Sequence, residues 1–255
     1  MHLLIYIFSY PIIKIISLLP FRIIYILSST FSLLLRNIFR YRLDTVRKNL
    51  KLVFPEKSSN EIIKIEKDFY KHFSDISFES IKAYGMTKSE MNSRYKYENI
   101  ELLHQIQKKS KNFIIICGHY SNFEWLLSIG YNVKGNGYGI YTPMSNKFFN
   151  NLFKKIRKKH NAYLISRYRI DDFIQNINPN KYHFFGFASD QSPRKIGNSY
   201  ISKFLGQKVP IFTGAERFSK QYNLSVVFAD VSRTKRGFYR TKFTEIVNTK
   251  DSGYN

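Results

Sequence analysis

At 255 residues and 44% hydrophobic content, the chain fills a core and is long enough for one catalytic domain with an appendage, which excludes a peptide-like module. Its formal net charge of +23 points to an acidic partner such as phospholipid head groups, a phosphorylated glycolipid, nucleic acid or an acidic protein. A single cysteine, Cys117, excludes an internal disulfide and a Cys-rich zinc site.

Lys, Asn, Ile, Phe and Tyr are abundant throughout, as A+T-rich coding imposes, so charge alone selects no function. Residues 3–19 form an apolar run interrupted only by Ser9, Pro11, Lys14 and Ser17. The run is at the low end of the roughly 17–25 residues that span a bilayer. A second run, FRIIYILSSTFSLLL, follows Pro20, and Arg36, Arg40, Arg42, Arg47, Lys48 and Lys51 come close behind it. No Lys or Arg precedes Lys14, so the positive-inside rule leaves the body of a spanning protein cytoplasmic. The uncharged N-terminus and the lack of a small-x-small site fit a cleaved signal peptide poorly. The expectation is a membrane anchor and interfacial helix over residues 1–40, with residues 41–255 as the body. The alternative is a hydrophobic helical pair packed on a soluble domain.

Ser58 and Glu61 have capping-box spacing, and Ile62, Ile65, Phe69, Phe73 and Ile76 recur at helical intervals, which predicts a helix over about 60–83. Apolar runs at 113–117, 138–141, 162–165, 183–188 and 224–229 predict strands. Between them a helix begins near Asn122, and others cover 146–160, 171–177 and 213–222. A Lys-Arg-Gly turn at 235–237 predicts a hairpin. Strands alternating with helices give an α/β fold, a layered, largely parallel sheet flanked by helices.

The chemistry gathers at FIIICGHYSNFEW, where a buried strand ends at Gly118 and is followed by His119 and, five positions on, Glu124. In a parallel sheet ligands bind beyond the carboxyl ends of the strands. Neutral imidazole takes a proton from an alcohol, and a carboxylate holds its other nitrogen in the right tautomer. A regular helix keeps residues five apart on different faces, so the two meet only with His119 on the loop and Glu124 in the first turn, capped by Ser121 or Asn122. With six histidines and 18 acids, chance supplies such a spacing about 0.4 times in this chain, and a structural histidine is the competing reading. Cys117 is an alternative nucleophile or, more ordinarily, a small buried hydrophobe.

The stretch GHYSNFEW resembles the His-x-x-x-x-Glu signature of the bacterial lipid A biosynthesis acyltransferases, which add secondary lauroyl- or myristoyl-type chains. The resemblance runs on through RKNLKLVFPEKSSNEIIKIEKDFYKHFSDISFESIK, YTPMSNKFFNNLFKKIR, ASDQSP and TGAERFSK, in the family's order. It implies transfer of a fatty acyl chain from acyl carrier protein to a hydroxyl of a phosphorylated lipid A precursor, at the cytoplasmic face of the inner membrane. It further implies His119 as general base, Glu124 as its orienting partner, and no cofactor or metal. Asn122, Arg167, Asp190, Gln191 and Glu216 are the candidate substrate-binding residues. Arg167 follows a predicted strand and suits a phosphate or thioester contact. Asp190 is a site residue or a turn cap, and Glu216 a site residue or a structural partner. The cations at Lys154, Lys155, Arg157, Lys158 and Lys159 suit a phosphorylated glycolipid and an acidic carrier protein, or form a solvated face.

Two positions depart from the family. Thr142 stands where a basic residue is frequent, and the chain stops at Asn255, which raises the expectation that the family's C-terminal helix and basic tail are missing. Competing readings keep the dyad and change the acceptor to another glycolipid, an ornithine-type lipid, an aryl polyene or glycerol phosphate. A basic membrane-peripheral protein that has lost catalysis is the non-enzymatic reading. Nucleic acid is not an expected partner, since neither an RNP-like aromatic motif nor zinc-finger spacing is present.

Overall fold

The computed structural model describes residues 1–178, 180–193 and 200–247. Its helices are α1 (His2–Leu18), α2 (Phe21–Leu33), α3 (Leu43–Val53), α4 (Ser59–Lys82), α5 (Lys88–Arg94), α6 (Ile100–Lys109), α7 (Lys147–Lys159), α8 (Ile170–Gln175) and α9 (Gly214–Tyr222). Its strands are β1 (Tyr95–Tyr97), β2 (Asn112–Cys117), β3 (Asn136–Tyr141), β4 (Ala162–Ser166), β5 (His183–Ala188), β6 (Tyr200–Phe204), β7 (Gln207–Ile211), β8 (Ser225–Lys235) and β9 (Phe238–Val247). A π-helical turn, Leu34–Ile38, continues α2, and a 3-10 helix, Trp125–Tyr131, follows β2.

The chain folds into two compact units. Met1–Tyr10, Thr87–Ser202 and Val209–Asn255 form one, and Pro11–Met86 with Lys203–Lys208 form the other. The first contains a seven-stranded sheet in the order β1-β9-β8-β2-β5-β3-β4, while β6 and β7 make a separate two-stranded pair. Strands β8, β2, β5, β3 and β4 run parallel, and β1 runs parallel to β9. Among the described pairings of the seven-stranded sheet, only the hairpin β8–β9, turned at the expected Lys-Arg-Gly, is antiparallel.

The central strands β2 and β5 read NFIIIC and HFFGFA because a parallel sheet covered on both faces needs apolar side chains on both. On one face Ile114 and Phe185 join Ile165, Ile170, Ala215, Phe218 and Leu224 in a core beneath α8 and α9. On the other, Phe113 stacks on Phe184 with ring centroids 5.7 Å apart. Burying each such side chain stabilises the fold by roughly 1.5–3 kcal/mol. The helix expected near Asn122 is replaced by the shorter 3-10 element. Ser121 takes a left-handed backbone, φ +52°, and the Asn122 side chain accepts the Trp125 N–H at 3.0 Å, which starts the helical segment late and tight.

In the second unit, Ser58 and Glu61 form the capping box that opens α4. The apolar periodicity that predicts this helix marks its buried face only in part, through Ile62. Phe69 and Phe73 are 43% and 39% exposed, while Glu66, Asp75 and Glu79 are fully buried. The reason is a polar seam. Glu66 accepts from Arg36 at 2.8 Å and from Arg47 at 2.6 Å, Ser28 donates to Asp75 at 2.7 Å, and Tyr25 donates to Glu79 at 2.8 Å. Buried carboxylates persist when such donors replace water. Outside the seam, Tyr41, Phe69 and Phe73 form a stacked aromatic row.

The bilayer-length helix is also not the expected one. Phe21–Ile38, 18 residues with 22% buried, is long and apolar enough by length and composition to cross a membrane, whereas His2–Leu18 is shorter. Pro20, in an extended backbone, separates the two, while Pro11 lies inside α1. Residues 248–255, the segment on which the expectation of a missing C-terminal helix rests, lie outside the described residues.

The seam makes a direct prediction. Arg36→Ala leaves buried Glu66 short of a cation and is expected to cost about 3 kcal/mol in denaturant unfolding, while Phe69→Ala costs under about 1 kcal/mol. The reverse order would place the stabilising face of α4 on its aromatic side.

Candidate active site

Parallel pairing puts Cys117 of β2 opposite Ala188 of β5, and the next residue continues the ladder, with the Ser189 N–H on the Cys117 carbonyl at 3.1 Å. His119 and Asp190 therefore each stand two residues beyond a paired position, at the same end of neighbouring strands. The Asp190 carboxylate bridges the gap. Oδ1 lies 2.6 Å from His119 Nδ1, and Oδ2 accepts the His119 backbone N–H at 2.8 Å. Gly118 permits this approach, because a Cβ there would sit 2.6 Å from the Tyr120 ring and 3.1 Å from Asp190 Oδ2. Tyr120 pins the same loop from outside by donating to Asp230 Oδ1 at 2.9 Å. Burial, reinforced by the Asp230 carboxylate, pushes the Tyr120 hydroxyl up to about 12, so it remains a donor at neutral pH. The imidazole also meets the Phe123 ring edge to face at 4.8 Å.

The expectation that Glu124 holds the His119 ring is not what the geometry gives. The carboxylate on the ring is that of Asp190, and Glu124 is bound instead by Arg157 of α7, whose Nη2 lies 2.7 Å from both carboxylate oxygens and whose Nε lies 3.2 Å from Oε2. The physical reason is the planar guanidinium, which offers a carboxylate two parallel N–H donors and outcompetes a single ring nitrogen. α7 is fixed for this by its cap, Asn146, whose side chain accepts the N–H groups of Phe148 and Phe149.

His119, Glu124 and Arg157 line one cavity of about 770 Å³ over the carboxyl ends of β2, β5, β3 and β4. Its volume falls within the range of small-ligand sites. Arg167 and Gln191 also line it, as do Thr142 and Arg217. Arg167 leans over the Tyr168 ring at 5.0 Å, and Arg217 is tied to Asp171 at 3.3 Å. Asn122, Asp190 and Glu216 are not among the residues that line it. Asn122 is fully buried as the cap of the 3-10 helix, and Glu216 pairs with Lys220 one turn along α9 at 3.1 Å. Arg157 is the wall residue that sequence reasoning left among five similar cations. Among the described residues, no three His, Cys, Asp or Glu side chains gather as a metal-ion site.

The pattern of the family described as bacterial lipid A biosynthesis acyltransferase matches residues 2–252. The chain belongs to the bacterial lipid A biosynthesis acyltransferase family. It is 22% identical over 205 residues to the lipid A biosynthesis palmitoleoyltransferase of Escherichia coli (strain K12), and equally to the lipid A biosynthesis acyltransferase of Shigella flexneri. Each match takes in 79% of this chain and 65% of the relative, just under two thirds of the relative's length. The GHYSNFEW stretch by which the chain resembles this acyltransferase family is thus the loop that frames the cavity.

Cys117 shares that cavity but is not poised as a nucleophile. Burial first, and then the Asp190 and Glu124 carboxylates, push its thiol up to about 12. A raised thiol stays protonated through the neutral range, and only the thiolate is nucleophilic. Iodoacetamide is expected to label the folded protein at pH 8 at least about a hundredfold more slowly than the urea-unfolded chain. Equal rates would mean an activated thiolate.

Proposed function

We propose that this chain is an O-acyltransferase that moves a fatty acyl group from an acyl carrier protein thioester to a hydroxyl of a phosphorylated lipid A precursor. The observation that carries the reading is the His119–Asp190 pair at the mouth of a largely apolar cavity. Asp190 on Nδ1 fixes the ring and leaves Nε2 to accept the hydroxyl proton. The acceptor oxygen then attacks the thioester carbonyl, the new C–O bond forms as the C–S bond breaks, and the proton passes from His119 to the departing thiolate. Asp190 acts as a positioning residue, stabilising the imidazolium as it forms.

Glu124 takes a second role. Held by Arg157, it presents a carboxylate to the reacting groups without leaving an uncompensated charge in the cavity wall. Arg167 and Arg217 at the cavity supply cations for the phosphates of donor or acceptor. The net charge of +23 favours encounter with an acidic carrier protein and an anionic bilayer. The candidate span Phe21–Ile38 and the cations behind it suit an inner-membrane protein with its site on the cytoplasmic side.

The test is transfer from labelled acyl carrier protein to a lipid A precursor in membranes containing the chain, with products read by mass spectrometry. The parent is expected to add one acyl mass. His119→Ala is expected to lose about 10²–10⁴-fold in kcat. Asp190→Asn should lose at least about a hundredfold and move the His119 ring tautomer in ¹⁵N spectra, which Glu124→Gln should leave in place. A folded, inserted parent that adds no acyl mass, or a fully active His119→Ala, would sink the reading. Glu124→Gln and Arg157→Ala are expected to lose similar activity singly and little more together, because they break one pair. Additive losses would separate their roles.

A further inference from the structure

The cavity has a bare patch in its floor. Side chains of a strand alternate between faces, so Ile115 of β2, Gly186 of β5, Gly139 of β3 and Leu164 of β4 form one rung across the sheet on a single face. All four line the cavity. The middle two have no side chains, which leaves a trough between the Ile115 and Leu164 side chains. The rung on the carboxyl side pairs Cys117 with Ala188, and His119 and Asp190 follow two residues later. The rung on the other side pairs Phe184 with Gly137, and the Phe184 ring occupies the place a Cβ at Gly137 would take. The trough thus runs along the strands from His119 to the Phe184 ring, with the glycine rung about 7 Å in from Ala188.

The two glycines are not equally free. A Cβ at Gly139 would come within 3.2 Å of Leu164 Cδ2 and 3.4 Å of Leu127 Cδ2, so packing already crowds it. A Cβ at Gly186 would meet nothing nearer than the Tyr138 carbonyl at 3.8 Å and the Gly139 Cα at 4.0 Å. Packing therefore tolerates a side chain at 186, and a β-branched residue suits a central strand better than glycine does. The absence of one keeps the cavity open at that rung.

The geometry points to Gly186 as the residue that sets how long an acyl chain the cavity accepts, with Gly139 beside it and the Phe184 ring as the far stop. The inference rests on the acyltransferase reading for its substrate and on the cavity alone for its shape. An alkyl chain entering beside His119 lies on bare backbone at the glycine rung, and each methylene withdrawn from water there is worth about fourfold in binding. Valine at 186 fills the trough at that rung and displaces the end of a long chain while leaving the part near His119 untouched.

The experiment compares the parent with Gly186→Val in two assays on the full chain solubilised in detergent. The first measures kcat/KM across saturated acyl carrier protein thioesters from eight to sixteen carbons. The second measures the rise in melting temperature given by free fatty acids of the same lengths. Gly186→Val is expected to lower kcat/KM for the longest accepted donor by at least about tenfold, to change the shortest by less than about threefold, and to shorten the best stabilising fatty acid. An unchanged length profile in a folded Gly186→Val overturns the inference. If Gly186→Val does not fold, Gly186→Ala is read for the same shift in smaller steps. A parent that transfers nothing but is stabilised by fatty acids with a cutoff that Gly186→Val shortens would overturn the acyltransferase reading and keep the role of Gly186. A parent stabilised by none of them and transferring none would overturn both.

Discussion

The parallel register that sets Cys117 against Ala188 decides where the site lies. Two chains leaving neighbouring strands in step remain close for a few residues, so His119 and Asp190, equally far past the rung, come within hydrogen-bond reach, with Gly118 leaving room for the turn. Asp190 uses this twice, once on the His119 ring and once on its backbone N–H. One carboxylate therefore fixes both the direction of the imidazole and the course of the turn that carries it. A one-residue slip between β2 and β5 would send Phe184 and Gly186 to the opposite face and part the pair together. The apolar stacking of Phe113 on Phe184 and the burial of Ile114 and Phe185 oppose that slip, so packing in the sheet holds the polar geometry at its edge.

Much of this was legible in the chain. Continuous apolar runs located β2, β3, β4, β5 and β8, and the capping pair Ser58 and Glu61 located α4. Each rests on local physics, alternation or burial in strands and side-chain satisfaction of helix ends, and needs no knowledge of distant residues. The histidine and the acid on its ring were both visible too, each following a predicted strand. Their pairing was not, because His-x-x-x-x-Glu offers a nearer carboxylate. Equal offset from the ends of two parallel strands was the signal for Asp190, and it becomes usable only once those strands are known to be neighbours. Arg157 gave no such signal, sitting in a run of cations of which one turns inward.

The helix α4 stands where the spacing predicts it, but its buried face is not set by apolar residues alone. Hydrophobic periodicity equates apolar with buried, and the equation holds where water is the only alternative environment. Here the seam of Glu66, Asp75 and Glu79 is satisfied by Arg36, Arg47, Ser28 and Tyr25, and the aromatic row of Tyr41, Phe69 and Phe73 is left outward. An apolar face turned outward beside a helix long enough to cross a bilayer is costly in water and favourable in lipid.

Two carboxylates near one histidine raise the question of why only one serves its ring. Asp190 is bound to the loop it orients and, among the described residues, pairs with His119 rather than with an arginine, so its charge is directed at the imidazole. Glu124 is bound on both oxygens by Arg157, which balances its charge where it lines the cavity. On the proposed acyl transfer, a second unbalanced anion would repel the phosphates and the developing oxyanion, and would need water that an alkyl chain displaces. Pairing Glu124 with Arg157 removes that conflict. On that proposal, the apolar trough with its glycine floor and the polar pair at its mouth are compatible because an arginine from α7 pairs with one acid and leaves the other to the imidazole.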